Sequence, residues 1–465
     1  MLQIHSRAVT SSISTNPHSE PLAPAAARAR AASDPAARPG AAGRVALISP
    51  YGGGNLGDAA ILESAIHAVR RRRPGAEIVG LTLNPRVVEE RHGIPGFPCA
   101  GLRLPSYGAA DDAAPRPDDS GPLARLVTAL PPLRKARTLG RKLGGELSHR
   151  RRARAFLAGF SEVVVAGGGQ LDELWGGPFG HPYALWKWGQ LAREVGARYL
   201  ILSVGVGTLR SRLGQLFARR ALALAESSSF RDPGSLQLAA FADVSRAQVV
   251  PDLAYAVPIQ RPVEAPLAGR RPVLAISPLA YGDPRVWPEK DAEHYRQHLE
   301  SMASLCRRML ALGWEIVFVS SDSPDVVTAR DVLALMEPLL LPEERARLSA
   351  PDTRTLPALV RALVPADVVV AARLHGVIIS HVLGKPVLAL SYERKVTSLM
   401  NGMEQQSLCL PIRNLDSEVA TAKVLGILER REAWAAEVRT RVAAYRQQVE
   451  AQYDRLFGAA DSAAS

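Results

Sequence analysis

VALISPYGGGNLGDAAI, residues 45–61, decides how the chain folds. A short apolar run ends in a glycine-rich turn, and a helical pattern follows. That order predicts a buried strand, a tight turn and a helix. Gly52, Gly54 and Gly57 match the spacing G-x-G-x-x-G of dinucleotide-binding turns. Two features oppose that reading. Asp58 sits where the pyrophosphate would meet the helix N-terminus. The next apolar run ends LTLNPR, with no acid at Asn84 or Pro85 to hold ribose hydroxyls. Dinucleotide binding is therefore disfavoured. The glycines still imply close approach of a ligand or chain to the backbone. Asp58 is either a helix cap or an acid facing a ligand hydroxyl.

Runs of the same kind recur: EIVGLTL (77–83), EVVVAG (162–167), RYLILSVG (198–205), PVLAISP (272–278), EIVFVSS (315–321), DVVVAAR (367–373) and PVLALSY (386–392). Alternating with helical patterns, they predict parallel strands in βαβ units and an α/β fold. The proline-rich segment 260–272 divides the series. The expected organisation is a disordered Ala/Pro/Arg-rich tail (1–43), two Rossmann-like domains (44–262 and 270–415) and helices over 416–457. A basic insertion at about 105–155 interrupts the first domain, and its residues 134–154 carry nine Arg and Lys against one acid, Glu146. It reads as a solvated face or as a contact with an anionic surface or glycan.

Composition narrows the partners. The chain has 465 residues, with 57 Lys and Arg against 45 Asp and Glu, a net charge of +12. This favours anionic ligands. Aromatic residues are only 5%, which argues against stacking on nucleic acid. Cys99, Cys306 and Cys409 are far apart, so neither a disulfide framework nor a zinc site is expected. No apolar run is long enough to cross a bilayer, and the start lacks a signal-like apolar stretch. A cytoplasmic protein is expected.

In open parallel sheets, ligands lie beyond the carboxyl ends of the strands. Here those ends carry the unusual residues. GGGQLDELWGG (167–177) repeats the triple glycine, with Gly167, Gly168 and Gly169, and brings Asp172 and Trp175, an acid and a flat apolar face suited to a sugar. Gly205 ends the next run. SFRDPGS (229–235) brings Arg231 and Asp232, and VVPDLAY (249–255) brings Asp252 as a crevice acid or a cap. RLHG (373–376) sets Arg373 two residues from His375, a spacing that points both the same way on a strand. An Arg grips carboxylate or phosphate, and an imidazole exchanges protons near neutral pH. SYERK (391–395) adds Glu393, Arg394 and Lys395. These cations are expected to form a positive pocket for a small polyanion. His67, His92, His181, His294, His298 and His381 have no comparable setting and are expected to be structural or solvated.

As a set, GGGNLGDAAI, VVVAGGGQL, the VGVG strand end, SFRDPGS, VVPDLAY and RLHGVIISHVLGKPVLALSYERK resemble the polysaccharide pyruvyltransferase family, over about residues 45–405. The resemblance implies two Rossmann-like domains facing across a cleft, as in GT-B glycosyltransferases. It implies transfer of pyruvate from phosphoenolpyruvate to a sugar of a cell-surface polysaccharide or its precursor, as a ketal. It implies no bound organic cofactor, which fits the missing ribose acid; the sequence itself shows no metal-ligand cluster, so no metal is expected. It further implies that Arg373 and Lys395, with Arg231, neutralise the donor, and that His375 is the general acid or base. Asp58, Asp172 and Asn55 would engage acceptor hydroxyls, with Gly52, Gly53, Gly54, Gly167, Gly168, Gly169, Gly205 and Glu393 beside the substrates. The acceptor is then a free, nucleotide-linked or lipid-linked saccharide, and residues 134–154 suit contact with an anionic inner membrane face. The rival readings are a GT-B glycosyltransferase using a nucleotide sugar and a non-catalytic glycan-binding module.

Overall fold

The structure is a computed structural model that describes residues 43–101, 131–174, 176–260 and 269–458, with backbone alone for 131–143. The tail to residue 42, the loop 105–125, Trp175 and the side chains of Arg134, Lys135, Arg137, Arg141 and Lys142 lie outside the described residues.

Two wholly parallel sheets form the frame. The first has the order β3-β2-β1-β4-β5-β6-β7. Its strands are β1 (Arg44–Ile48), β2 (Glu77–Thr82), β3 (Gly96–Pro98), β4 (Phe160–Ala166), β5 (Arg198–Val204), β6 (Ser227–Phe230) and β7 (Gln248–Val249). The second has the order β10-β9-β8-β11-β12-β13. Its strands are β8 (Val273–Ser277), β9 (Glu315–Phe318), β10 (Leu348–Ser349), β11 (Val368–Ala371), β12 (Val387–Ser391) and β13 (Cys409–Pro411). β1 pairs Val45 with Ile78 on one side and with Glu162 on the other. β11 pairs Val369 with Ala275 and Val387.

The central strands are apolar throughout because helices cover both faces. Every residue of β8 and β11 is buried. In each sheet the strand order reverses beside the first strand, between β1 and β4 and between β8 and β11. Such switch points open a crevice at the carboxyl edge.

The helices that matter for the site are α1 (Leu56–Arg72), α2 (Pro131–Leu157), α3 (His181–Glu194), α4 (Arg212–Leu224), α5 (Leu374–Val382), α6 (Arg394–Gly402) and α7 (Arg431–Phe457). Asn55 caps α1, its side-chain oxygen accepting from Gly57 N at 2.8 Å and Asp58 N at 3.4 Å. Asp58 is thereby released from the capping role left open by the sequence.

The expected C-terminal helices span Ser417–Glu429 and α7. α7 follows the second sheet but binds the first. Tyr453 Oη lies 3.2 Å from Ser64 Oγ. Gln452 Nε2 donates to Ser203 Oγ at 3.2 Å. Ser203 has φ 48°, a costly conformation for a serine. It closes the end of β5, where the hydroxyl of Ser229 also accepts from Ser203 N at 2.7 Å. The buried Arg72 of α1 pairs with Glu450 at 2.7 Å and Asp454 at 2.6 Å.

Arg72→Met keeps the bulk but strands two carboxylates on α7. Stability should fall by about 2 kcal/mol, discounted because Asp454 is partly exposed. Chemical denaturation checks this, and an unchanged midpoint would show that α7 is held by packing alone.

Candidate functional site

A cavity of about 530 Å³ opens where the carboxyl edges of the two sheets face each other. Turns after β1, β4, β5 and β6 supply one wall, and the starts of α5 and α6 the other.

The glycine turn after β1 is the joint between these walls. Ser323 N donates to Gly54 O at 3.2 Å, and Leu56 N donates to Ser321 O at 2.9 Å. Asn55 and Asp322 form an isolated antiparallel bridge. At the second residue of α1, a methyl group on Gly57 would fall inside the His375 ring. So the close approach implied by the glycines is made by the second half of the chain. Gly52, Gly53 and Gly54, expected beside substrate, do not line the cavity, and neither do Gly167, Gly168 or Gly205. Gly205 lies under the Arg231 guanidinium instead, where a Cβ would come within 2.5 Å. Asn55, Asp58, Gly169, Asp172, Arg231, Arg373, His375, Glu393 and Lys395 do line it.

His375 is the second residue of α5. Its side chain is 12% exposed, and Nε2 is buried without a hydrogen-bond partner. The nearest acid is Asp252 Oδ2 at 3.7 Å, an ion-pair distance too long for a hydrogen bond. Asp252 Oδ1 accepts from Ala254 N at 3.1 Å, and Oδ2 lies 3.4 Å from Arg231 Nη1. Asp252 is thus the cap of the two readings; it does not line the cavity itself and lies behind His375 and Arg231, which do. Burial pushes its carboxyl up, but His375, Arg231 and the Ala254 amide outweigh burial and hold it below the ordinary range.

Asp58 lies in the same buried cluster. Burial raises it to about 6; His375, Arg231 and Arg373 oppose the rise, and Asp252 adds to it.

Arg373 and His375 do not point the same way. The helix begins between them, and two helical residues turn about 200°. Arg373 points to the second sheet's own acids. Its Nε donates to Asp325 Oδ2 at 2.7 Å, Nη2 donates to Asp325 Oδ1 at 3.0 Å, and Nη1 lies 3.1 Å from Asp322 Oδ2. Burial raises Asp322, with Arg373 opposing. Arg373 therefore meets the cavity with its charge already balanced by two carboxylates.

Asp172 is also engaged. Oδ1 accepts from Leu174 N, and Oδ2 accepts from Thr208 N at 3.1 Å. It clips the turn after β4 to the turn after β5. Burial lifts its pKa, against the pull of those two amides.

On the far wall Lys395 Nζ lies 3.0 Å from Glu393 Oε2 and 4.9 Å from the Tyr392 ring centre. Burial works against its charge, but Tyr392 and Glu393 outweigh burial and raise its pKa. The lining holds Asp58, Asp172, Asp232 and Glu393 beside Arg231, Arg373, Arg394 and Lys395. The expected positive pocket is therefore a balanced one. What it adds is dipolar: α5 and α6 both start at the cavity without a side-chain cap, leaving first-turn amides turned towards it.

The other histidines divide as expected between core and surface, with one exception. His181 lines the cavity, and burial lowers it to about 4, so it is neutral at pH 7. His381 is fully buried against the Tyr255 hydroxyl at 3.2 Å. Asp322 and Asp325 were missed, although SSDSPD was visible as a polar strand end. Among the described residues, no group of three or more His, Cys, Asp or Glu is placed to hold a metal ion, and no helix is long and apolar enough to cross a membrane.

Two parallel Rossmann-like sheets meeting edge to edge over one cavity define the GT-B class of transferase folds. Solved structures agree at the level of fold. The glycosyltransferase from Rickettsia africae ESF-5 matches at 10% identity and TM-score 0.52, over 90% of this chain and 98% of that one. The UDP-GlcNAc 2-epimerase from Neisseria meningitidis, bound to UDP-GlcNAc, matches at 10% identity and TM-score 0.51, over 89% and 99%. No curated protein matches the chain in sequence. The sequence profile of the polysaccharide pyruvyl transferases matches residues 55–394, and the chain belongs to that family. It is an enzyme that transfers pyruvate to polysaccharide in the general sense of the family.

Two predictions follow from the joint. Gly57→Ala should displace the His375 ring and cut turnover by roughly 100-fold while the chain stays folded; activity near wild type would show that the ring's seat is not critical. Asp58→Asn tests the buried carboxyl. A carboxyl raised above its unfolded value favours folding while protonated, and that contribution is lost as pH rises through about 6. Relative to wild type, the variant should gain about 1–3 kcal/mol between pH of about 4 and 7. Melting at both pH values checks this, and a constant difference would place the charge elsewhere.

Proposed function

We propose that the enzyme transfers the pyruvyl group of phosphoenolpyruvate to two hydroxyls of a saccharide, forming a cyclic ketal and releasing phosphate. The observation that carries this is His375, held at the cavity wall between Gly57 and the ionised Asp252, with no hydrogen bond committed at Nε2.

The chemistry suits these groups. C3 of the enol accepts a proton, and positive charge develops at C2. A sugar hydroxyl adds at C2 and gives up its proton. The second hydroxyl then takes the place of phosphate, which leaves with the C–O electron pair. The carbon skeleton is never oxidised or reduced, so the reaction needs no redox cofactor. In this reading His375 delivers the proton to C3 and Asp252 holds the ring and its charge. Positioned acid–base groups of this kind are worth roughly 100- to 10,000-fold.

In this reading the donor anions meet helix dipoles and the Lys395 cation. The uncapped starts of α5 and α6 present amides suited to phosphate or carboxylate. Lys395 adds a charge on a flexible stem. Arg373, already paired with Asp325 and Asp322, shapes this wall more than it binds. Asp58 and Asn55 line the opposite wall, and in this reading they take the acceptor hydroxyls. A carboxyl near 6 is ready to take a hydroxyl proton or return it.

Calorimetry with phosphoenolpyruvate and a UDP-sugar tests the reading. Phosphoenolpyruvate should bind selectively, and Lys395→Met should weaken it by about tenfold or more. His375→Gln should keep donor binding and lose turnover by at least about 100-fold. Selective binding of the UDP-sugar would move the site to nucleotide-sugar chemistry, and full turnover by His375→Gln would remove the histidine from the reaction.

A further inference from the structure

One rim of the cavity carries a surface that the chemistry leaves unused. Leu174 and His181 line the cavity. Phe179, between them and α3, is 51% exposed, and Leu213 at the start of α4 is 37% exposed. Their neighbours are aromatic. Phe179 lies 5.8 Å from Phe217, Trp186 stacks on Phe217 at 5.1 Å, and the Arg220 guanidinium sits 5.3 Å from the Trp186 ring.

The same surface is cationic. α4 reads RLGQLFARRALAL, with three arginines and no acid. Arg212, Arg219 and Arg220 are exposed. Leu213, Phe217 and Arg220 fall on one stripe of the helix. Tyr183 of α3 ties the patch to α2 by donating from Oη to Glu146 at 3.2 Å. There Leu147 is 62% exposed, and Arg151, Arg152 and Arg154 are exposed beside it. Among the described residues, Glu194 is the acid paired with this part of α2, taking Arg150 at 2.7 Å and Arg154 at 3.3 Å.

Exposed Phe and Leu side chains ringed by arginines suit a particular partner. A soluble acidic polymer would use the cations but gain nothing from the apolar groups. A bilayer with anionic headgroups uses both: apolar side chains enter the boundary region while arginines meet phosphates. We propose that the face formed by Phe179, the starts of α3 and α4 and the turn of α2 around Leu147 docks on an anionic lipid bilayer, and so brings a lipid-carried saccharide to the cavity mouth. The second clause rests on the pyruvyl-transfer reading; the docking face does not.

Flotation of the full chain with phosphatidylcholine vesicles, with and without phosphatidylglycerol, tests this. The protein should float only with the anionic vesicles. Phe179→Ser with Leu213→Ser, and separately Arg212→Glu with Arg219→Glu, should each cut the bound fraction by roughly tenfold. Both should melt as wild type does and turn over a soluble saccharide acceptor equally well. Absence of flotation, flotation undiminished by either pair, or binding to a soluble anionic polysaccharide and not to vesicles would overturn the proposal. Vesicle binding by a protein with no pyruvyl turnover would sink the catalytic reading and leave the docking face standing.

Discussion

The site depends on one contact between the halves: the imidazole of His375 resting on the backbone of Gly57. Any side chain at that position would occupy the ring's space. Around it, backbone bonds from Gly54 and Leu56 to the turn after β9 fix the approach of the two halves to a few ångströms. Because the seat is made of backbone, it has little freedom to adjust. The catalytic candidate belongs to one half, its floor to the other, and its neighbouring acid, Asp252, to the segment leading out of the first. Relative movement of the halves would therefore separate His375 from Asp252 as well as open the cavity. α7 works against such movement by crossing back to α1 and to the strained Ser203 at the end of β5.

Burying this many ionisable groups has a consequence of its own. Asp58, Asp252, Asp322, Asp325, Arg231, Arg373 and His375 share a poorly solvated region. Asp252 keeps its charge because His375 and Arg231 flank it; Asp58, with weaker compensation, is lifted to about 6. Two acids close together thus come to differ in readiness to carry a proton, which is the condition for dividing acid and base roles between them. Arg373 sets the opposite case. Clamped by Asp325 and close to Asp322, it contributes rigidity to the wall and little net charge to the cavity.

The sheets were legible where the strands were long and apolar. Eight runs named from the sequence are central strands. β3, β6, β7, β10 and β13 were not seen. β6 is Ser-Ser-Ser-Phe, strand only because β5 and β7 flank it, and the others have two or three residues at or near an edge. The site was legible as a collection, because polar residues after each strand must gather at one edge. Individual roles were not. Spacing of two on a strand suggested that Arg373 and His375 act together, but β11 ends at Ala371 and the helix begins at Leu374, before His375. Asp172 looked free in sequence and is consumed by two backbone amides. Asp322 and Asp325 matter only through Arg373, a partner that no local pattern reveals.

The glycine turn shows how one motif can carry different physics. In a dinucleotide site, glycines clear space for a pyrophosphate against the helix N-terminus, and an acid there would repel it. Here Asn55 already occupies the first amides of α1, so that anion site is closed before any ligand arrives. The open helix starts are instead those of α5 and α6, on the other wall. Both of these uncapped starts belong to the second half. The first half is left with a capped helix, a protonatable Asp58 and an asparagine, which suits hydroxyls better than phosphates. In the proposed reading, this asymmetry between the walls, more than net charge, is what would separate an anionic donor from a neutral sugar.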